Sequence, residues 1–339
     1  MQYRDSEPRI VSLGRNGLLS VVVPVFNEQE VLADFHRRLS AALAMSEVAQ
    51  QEIIYVNDGS SDGSLDRLQQ LMRQDARVQV LDLSRNFGKE AAMSAGLDYA
   101  RGDAAIVIDA DLQDPPELIP EMVREWRNGY DMILMRRLSR DGETWLKKGT
   151  ARAFYTLMSR IGRVRVPAEV GDFRLLSRRA INALKQLPER TRFMKGLFAW
   201  IGFPCKEIVY RRNARRAGVS KWNYWRLWNL ALEGITSLTV APLTLATYVG
   251  GLIVLAALFS GLFVFGKAMF LGASLSGHSG LIVVLLFLGG LQLLAIGIIG
   301  EYLGRIFIES KQRPLYLLNR RYGHGAGQAS LTPIRKEMP

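Results

Sequence analysis

Residues 18–26 read Leu-Leu-Ser-Val-Val-Val-Pro-Val-Phe, a compact apolar run whose β-branched residues predict a buried strand. Apolar residues at positions 31, 32, 35 and 39 then recur at the spacing of one helix face. The same alternation of strand and helix recurs at residues 53–57 and 65–72, 78–83 and 91–100, and 104–109 and 118–126, and ends in a strand at residues 132–135. Strands that are apolar throughout and separated by helices indicate an α/β fold with a mostly parallel sheet.

Polar residues stand where each of the first four predicted strands ends. They are Asn27 and Glu28 after the first strand, Asp58 after the second, Asn86 after the third, and Asp109 and Asp111 after the fourth. In doubly wound sheets, ligands bind in the crevice beyond the carboxyl ends of the strands. The sequence therefore predicts that these side chains line a ligand site.

The triplet Asp109-Ala110-Asp111 carries the clearest chemical signal. Two carboxylates separated by one residue, just past a buried strand, can converge on one divalent cation. Hard oxygen ligands of this kind suit Mg²⁺ or Mn²⁺, which can bridge to the phosphates of a substrate. The alternative is a solvated turn in which Asp114 caps the following helix.

Between Leu243 and Gly300 the one charged residue is Lys267. The uncharged run at residues 243–266 would be about 36 Å long as a helix, enough to cross a hydrocarbon core of about 30 Å. Residues 280–300 form a second such run. We therefore predict two transmembrane helices joined in a hairpin, with burial in a soluble core as the alternative for either run.

The regions around the apolar block have distinct compositions. Residues 1–17 lack the apolar core of a secretory signal and are expected to be an N-terminal extension. Residues 18–220 should form the soluble domain, and residues 301–339 a basic tail. Because Lys- and Arg-rich flanks stay in the cytoplasm, we place this domain and both termini there, in a multi-pass protein of the inner membrane.

Residues 221–240 form a separate segment just before the first predicted span. Trp222, Trp225 and Trp228 recur there every three residues, close to several basic side chains. Indole rings prefer the headgroup level of a bilayer, so the pattern predicts an interfacial amphipathic helix. The alternative is a helix that packs an aromatic stripe into the soluble core.

Composition excludes several classes of protein. The chain of 339 residues has a net charge of +12 and a single cysteine, Cys205, so an internal disulfide framework is impossible. It has neither a Walker phosphate-binding motif nor the glycine fingerprint of dinucleotide-binding folds. Since the basic residues bracket the apolar block, they favour anionic lipid or phosphate-bearing substrates over nucleic acid.

Four ordered motifs resemble those of the family 2 glycosyltransferases of GT-A fold, which have a Rossmann-like, mostly parallel sheet. They are VVPVFNE at residues 22–28, NDGSSD at 57–62, RNFGK at 85–89 and DADLQDPPE at 109–117. More narrowly, the chain is similar to the polyprenyl-phosphate hexosyltransferases, which include dolichol-phosphate mannose synthase and the bactoprenol glucosyltransferases. The likeness extends from about Leu19 to Tyr316, and motifs at 171–175, 217–222 and 300–305 resemble the bacterial branch with two C-terminal spans.

The resemblance implies a role for each matching residue. The residues expected to bind a nucleotide-sugar donor are Pro24, Phe26, Glu28, Asp58, Lys89, Asp109 and Arg137. Those expected to hold Mg²⁺ or Mn²⁺ are Asp109, Asp111 and Gln113. Those expected near the acceptor phosphate are Arg174, Arg215, Ser220 and Lys221, and those expected to act in catalysis are Asp111, Asp172 and Arg174. Asp172 stands where many relatives carry a base, although an orienting role is preferred here.

The implied reaction is inverting transfer of a hexose to polyprenyl (undecaprenyl) phosphate, a membrane lipid, by a homo-oligomer for which a tetramer is the expected form. The best choice of donor is UDP-glucose, and the product would serve cell-envelope glycans or glycolipids. The same scaffold could instead use GDP-mannose or an aminoarabinose derivative. A processive polysaccharide synthase would need more spans and a Gln-x-x-Arg-Trp motif, and a noncatalytic membrane scaffold would not need both Asp109 and Asp111.

Overall fold

The computed structural model describes residues 17–138, 170–187, 189, 190, 192, 194–211 and 278–323, together with single positions between 243 and 259. Several expectations therefore lie outside the described residues. These are the extension up to residue 16, the interfacial helix at 221–240, most of the first span at 243–266, and the tail beyond residue 323.

The described chain alternates strands and helices. The strands are β1 (Leu18–Val25), β2 (Gln50–Asn57), β3 (Val78–Leu83), β4 (Ala104–Val107), β5 (Met132–Arg137), β6 (Val170–Ser177), β7 (Cys205–Tyr210) and β8 (Leu318–Tyr322). The helices are α1 (Leu32–Ala44), α2 (Ser64–Gln74), α3 (Lys89–Tyr99), α4 (Ile119–Arg127), α5 (Arg178–Lys185), α6 (Met194–Trp200) and α7 (His278–Ser310), with a 3₁₀ turn at Pro116–Leu118 before α4.

All eight strands form one sheet in the order β7-β5-β6-β4-β1-β2-β3-β8. The central strands β4, β1, β2 and β3 are parallel, as the apolar runs predict, and β7 is parallel to β5. Strand β6 is antiparallel to both of its neighbours, and β8 is antiparallel to β3. The predicted α/β class with a mostly parallel sheet is confirmed, with antiparallel pairs where β6 and β8 enter it.

Helices cover both faces of the sheet, which explains why the strands are apolar without alternation. Val21 and Val23 of β1 belong to a core shared with Phe35 of α1, whereas Val22 belongs to a second core shared with Met93 of α3. All five side chains are fully buried. Burial of a Val, Phe or Met side chain stabilises a fold by about 1.5–3 kcal/mol, so each face of β1 contributes.

Helix α7 has a different surface from the other helices. Its apolar side chains are exposed, as at Leu293 and Ile296, which are 72% and 62% accessible. The segment Phe287–Ser310 is long and apolar enough to cross a membrane, and it is one such helix among the residues that the structure describes. The span predicted at 280–300 lies inside α7, while the hairpin stays a prediction.

The C-terminal segment is more than the basic tail predicted at residues 301–339. Helix α7 continues to Ser310, ten residues beyond the predicted end of its span. Residues 318–322 then pair with β3 as the edge strand β8, and Leu318 and Tyr322 pack against the two cores. The structure thus assigns residues 301–310 to α7 and residues 318–322 to an edge strand of the domain, two features that the prediction of a basic tail did not include.

Candidate active site

The loops that follow β1 and β2 are bound to each other at the carboxyl edge of the sheet. The backbone amide of Asn27 donates to Ser60 Oγ at 3.0 Å, and Asn27 Oδ1 accepts from the Ser61 amide at 2.8 Å. The Glu28 amide donates to Ser64 Oγ at 2.9 Å. Asn27 has a φ of 56°, a left-handed conformation that asparagine tolerates better than most residues. These bonds place Glu28 beside the NDGSSD loop.

Asp58 joins the loop after β2 to the loop after β3. Its Oδ1 accepts from the Phe87 amide at 2.7 Å and its Oδ2 accepts from the Gly88 amide at 2.9 Å. Burial raises the pKa of this carboxyl group, although the two amides oppose the shift. The structure therefore shows Asp58 holding the loop that leads to Lys89, and its expected contact with a donor stays a prediction.

Gly59 allows the same two loops to approach closely. Its φ is +64°, and a Cβ at this position would lie 2.5 Å from the backbone nitrogen of Asn86 and would overlap the Arg85 carbonyl carbon. Glycine is required here both by the left-handed backbone and by the lack of space. Pro24 and Phe26, expected to contact the donor, are half-buried at the end of β1.

Lys89 links the loop after β4 to strand β6. Its Nζ lies 2.6 Å from Asp109 Oδ2, in the loop after β4, and 2.5 Å from Asp172 Oδ2, on β6. The two carboxylates are mostly shielded, with side chains 19% and 17% exposed, while Lys89 is 41% exposed. One ammonium group therefore bridges carboxylates that are 63 positions apart in the sequence.

The ionisation of this trio is coupled. Burial alone would lower the pKa of Lys89, but the charges of Asp109 and Asp172 outweigh it and raise that pKa, so the amine is protonated. Burial raises the pKa of Asp109, with Lys89 opposing the shift. For Asp172 burial is outweighed by Lys89, Lys195 and Arg174, which hold its pKa well below the ordinary range. Asp172 is thus a carboxylate, a weak base suited to holding cationic groups.

Asp111 and Gln113 lie on a tight turn after Asp109. Asp111 Oδ1 accepts from the Gln113 amide at 3.1 Å, and Leu112 between them has a left-handed φ of 60°. Leu112 is buried, so its side chain packs inward and stabilises the turn against the cost of that backbone conformation. Gln113 is itself 7% exposed.

The oxygen ligands available at this turn fit a hard divalent cation. Asp109, Asp111 and Gln113 offer carboxylate and amide oxygens, the ligands that Mg²⁺ and Mn²⁺ prefer. Among the described residues, no three His, Cys, Asp or Glu side chains are gathered so as to hold a metal by themselves. Mg²⁺ commonly takes several ligands from water and substrate phosphates, so the protein side chains need not complete its coordination.

Asp114 is buried, so the alternative of a solvated turn does not hold for this residue. Its side chain is fully buried, Oδ1 accepts from the Tyr210 hydroxyl, and Oδ2 lies 3.6 Å from the Arg137 guanidinium. Arg137 Nε also donates to Tyr210 Oη at 3.2 Å. Arg137, expected to bind the donor, is held at the end of β5 by these two residues.

Arg174 is buried next to Asp172 and does not line an open surface. It is 2% exposed, its Nη2 donates to the Gly171 carbonyl at 2.6 Å, and its guanidinium stacks 3.9 Å from the centre of the Phe198 ring. Its Nε is 3.4 Å from the Asp172 carbonyl oxygen. These contacts position the backbone that carries Asp172, so Arg174 has a structural role whether or not it meets a phosphate.

Two charged residues near Asp172 were missed in the sequence. Glu90 follows Lys89, and its Oε2 accepts from the Met194 amide at 3.3 Å; burial and the charge of Asp172 raise its pKa to about 7. Lys195 on α6 feels the charge of Asp172, but burial lowers its pKa. Glu90 could have been suspected from its place beside Lys89, whereas Lys195 lies in a helix that no apolar pattern predicted.

Three of the residues expected near the acceptor, Arg215, Ser220 and Lys221, lie outside the described residues. The structure thus brings together Lys89, Asp109 and Asp172, and it places Asp58 and Glu28 along the same sheet edge. The site is a row of loops at the carboxyl ends of β1 to β4, closed by β6, which is the position expected for a ligand in this architecture.

Comparison with known proteins agrees with this arrangement. Residues 20–185 match the model of glycosyl transferase family 2. An uncharacterised glycosyltransferase of Synechocystis is 50% identical over 90% of this chain and 96% of its own. The bactoprenol glucosyl transferase of Shigella phage SfV is 44% identical over 88% of this chain and 97% of its own.

A prophage bactoprenol glucosyl transferase homolog of Escherichia coli K12 is 43% identical over 89% of this chain and 98% of its own length. With the sheet edge and its paired carboxylates, these matches show that the chain belongs to the family 2 glycosyltransferases and is a transferase enzyme of GT-A fold.

Proposed function

We propose that this enzyme transfers a hexose from a nucleotide sugar to polyprenyl phosphate at the cytoplasmic face of the inner membrane. The observation that carries the proposal is similarity to a bactoprenol glucosyl transferase over 300 residues of this chain. A match of that length includes both the edge that holds Lys89, Asp109 and Asp172 and the apolar helix α7. One chain then carries a donor site and an apolar helix suited to the membrane that contains the lipid acceptor.

The donor is UDP-glucose in this proposal, because the named relatives are glucosyl transferases. Pro24, Phe26 and Glu28 lie where β1 ends and would contact the nucleoside. Asp58 acts partly through the loop that it holds, since both of its oxygens already accept backbone amides. The diphosphate would then lie toward Lys89 and the loop after β4.

Asp109, Asp111 and Gln113 would hold Mg²⁺ or Mn²⁺, which when bound neutralises charge that develops on the departing nucleoside diphosphate. The chain supplies a second positive charge at the same place. Lys89 is protonated and lies 2.6 Å from Asp109, so its ammonium group is available to a phosphate oxygen as well. A preorganised cation beside the leaving group stabilises the transition state more than the ground state.

The acceptor needs little activation. A phosphate monoester has a second pKa of about 6, so it is largely dianionic at neutral pH and is itself a nucleophile. Asp172, whose pKa is held low by its basic neighbours, suits an orienting role better than that of a strong base. Attack in line with the departing diphosphate would invert the anomeric carbon and convert an α-linked donor into a β-linked product.

The membrane topology belongs to the same proposal. A hairpin of the segments 243–266 and 280–300 would keep both termini and the active site in the cytoplasm, where nucleotide sugars are made. Arg215, Ser220 and Lys221 lie between the described domain and the first of these segments, a place suited to a lipid phosphate at the membrane surface. Assembly as a homo-oligomer, with a tetramer as the expected form, stays a prediction.

The test is transfer by the full-length protein in detergent micelles with undecaprenyl phosphate and Mg²⁺ or Mn²⁺. Labelled UDP-glucose, GDP-mannose and a UDP-aminoarabinose derivative are supplied separately, and label is counted after organic extraction. We expect label from UDP-glucose in the organic phase, dependent on the cation, with a β-linkage by NMR of the product. Label from another donor would correct the sugar, and absence of extractable label from all three would contradict lipid-phosphate transfer.

A further inference from the structure

Strand β8 returns from the apolar helix α7 with an irregular register. Arg320 pairs with Asp82 of β3, but the next pair joins Leu318 to Leu83, so Asn319 is an extra residue in β8. This is a β-bulge, and bulges commonly redirect a side chain near a functional site. The redirected side chain here is that of Asn319.

Asn319 donates a hydrogen bond to the buried carboxylate of Asp82, which also accepts one from Asn57. Its Nδ2 lies 2.8 Å from Asp82 Oδ2, while Asp82 Oδ1 accepts from Asn57 Nδ2, also at 2.8 Å. Asp82 is 4% exposed and Asn57 is 1% exposed. In such a shielded place each hydrogen bond restricts its partner strongly, and the loss of one leaves a buried polar atom unsatisfied.

The chain of hydrogen bonds continues into the donor loops. Asn57 Oδ1 accepts from the Ser60 amide at 3.3 Å, and Ser60 Oγ accepts from the Asn27 amide at 3.0 Å. A polar relay therefore runs from the amino end of β8 along the carboxyl ends of β3 and β2 to the loop after β1. Asp58 and Glu28 each directly follow a member of this relay.

A second contact ties the same segment to the loop that carries Lys89. The Ser84 amide donates to the Leu317 carbonyl at 2.9 Å, at the point where β3 ends. From there the chain leads to Phe87 and Gly88, whose amides are held by Asp58. The segment after α7 thus restrains both loops that Asp58 joins.

We propose that Asn319 is a positioning residue for donor binding, which acts through Asp82 and Asn57 on the loop after β2. The identity of the substrate rests on the proposed function. The segment that follows the apolar helix is then part of the nucleotide site. The ligand whose binding Asn319 supports is a nucleoside diphosphate sugar. The segment that follows α7 and the donor site are then coupled through these hydrogen bonds.

The test compares three variants of the full-length protein in detergent micelles. Asn319→Asp sets two carboxylates against each other and should weaken the relay most. The double variant Asn319→Asp with Asp82→Asn restores both bonds, because the amide at position 82 can donate to the new carboxylate and still accept from Asn57. Arg321→Ala is the matched control, since it removes a β8–β3 bond to Gln79 at the far end of the strand pair.

Two readouts separate this inference from the proposed function. The first is the KM for the nucleotide sugar that wild type uses, which we expect to rise about tenfold in Asn319→Asp, with kcat changed less and the KM for undecaprenyl phosphate unchanged. The second needs no ligand: hydrogen exchange of the Ser60 and Phe87 amides should quicken in Asn319→Asp. In the double variant both readouts should return to near the wild-type values. In Arg321→Ala both should be close to wild type.

Other results would overturn the role of Asn319. Equal effects of Asn319→Asp and Arg321→Ala would mean that β8 matters only as a docked strand. Failure of the double variant to restore exchange protection would mean that the relay does not carry the effect. If wild type transferred no sugar, the proposed function would fail while hydrogen exchange still decided whether the relay exists.

Discussion

The two halves of the active-site edge are held together by different forces. The loops after β1, β2 and β3 are joined by hydrogen bonds that involve backbone amides, such as those from Phe87 and Gly88 to Asp58. The loop after β4 and strand β6 are joined by ion pairs, because Lys89 lies between Asp109 and Asp172. We call the first the donor edge, after its proposed ligand, and the second the charged edge.

The difference indicates which part of the site changes when substrate binds. Backbone amides keep the same hydrogen-bonding capacity whatever enters the cleft, so the donor edge is formed in advance. The charged edge depends on a balance between one ammonium group and two carboxylates, and a cation or a phosphate alters that balance directly. The following predictions are ordered from the largest expected effect to the smallest.

Gly59→Ala should be the most damaging change at the donor edge. The new methyl group meets the backbone of Arg85 and Asn86 in a left-handed conformation, and the two costs together should lower the free energy of unfolding by about 4 kcal/mol. Gly202→Ala is the control, because Gly202 has a similar φ of +62° and, among the described residues, a Cβ there would meet only the Trp200 carbonyl, at 3.7 Å. Urea unfolding of both variants measures the difference, and equal losses would show that the loops are not closely packed.

Asp111→Asn should be the most damaging change at the charged edge. Loss of one carboxylate ligand should lower transfer by about 100-fold, or about 3 kcal/mol of transition-state stabilisation. Asp66→Asn, an exposed acidic residue in the first turn of α2, is the control and should leave transfer within about twofold. Equal activity of Asp111→Asn and wild type would remove Asp111 from the metal site.

Glu90 should make stability depend on pH. Its pKa is raised from 4.5 to about 7 in the folded protein, so folding favours the protonated form. The contribution of Glu90 to stability is therefore full below pH 4.5 and is lost as the pH rises to about 7, by up to about 2 kcal/mol because solvent reaches part of the side chain. Glu90→Gln keeps an acceptor for the Met194 amide and should flatten this fall.

The pH effect is measured by thermal unfolding of wild type and Glu90→Gln in the same buffers from pH 4.5 to pH 8. Glu121→Gln, at a glutamate of α4 whose side chain is 42% exposed, should follow the wild-type curve. A wild-type curve that Glu90→Gln does not alter would mean that Glu90 is charged in the folded protein at all these pH values.

Arg174→Lys should have the smallest effect, since a positive charge is kept. Lysine cannot stack its charge flat on Phe198 while it reaches the Gly171 carbonyl, so we expect a loss of about 1 kcal/mol of stability. Arg179→Lys is the control, because Arg179 also stacks on a ring, that of Phe203, but its side chain is 49% exposed. Similar melting temperatures for the two variants would count against the bracing role of Arg174.

The central strands and the loops after them could be predicted from the sequence for one reason. Buried parallel strands such as β1 and β3 are apolar on both faces, so a local run identifies them, and the ligand edge follows from the direction of the strands. Strand β6 was not predictable in this way, because Gly171, Asp172 and Arg174 interrupt its apolar pattern. Strand β8 reads Leu-Asn-Arg-Arg-Tyr and has the composition of a solvated tail.

The partners of the site residues were less predictable than their positions. The motif at 109–117 indicated a cation ligand at Asp109, but the ion pairs with Lys89 and Asp172 depend on β6 entering the sheet beside β4. The burial of Asp114 was not predictable, since the sequence around it does not reveal that Tyr210 and Arg137 converge on it. Contacts between distant segments are set by tertiary packing, which local patterns do not encode.

The central claim is that the donor edge is formed in advance while the charged edge is completed by the cation and the donor together. Electron paramagnetic resonance of Mn²⁺ with the full-length protein tests it, with and without UDP and with Asp111→Asn as the control. We predict weak Mn²⁺ binding without nucleotide, because Lys89 already pairs with Asp109, and binding at least tenfold tighter with UDP, lost in Asp111→Asn. Tight Mn²⁺ binding in the absence of UDP, with no change when it is added, would contradict the claim.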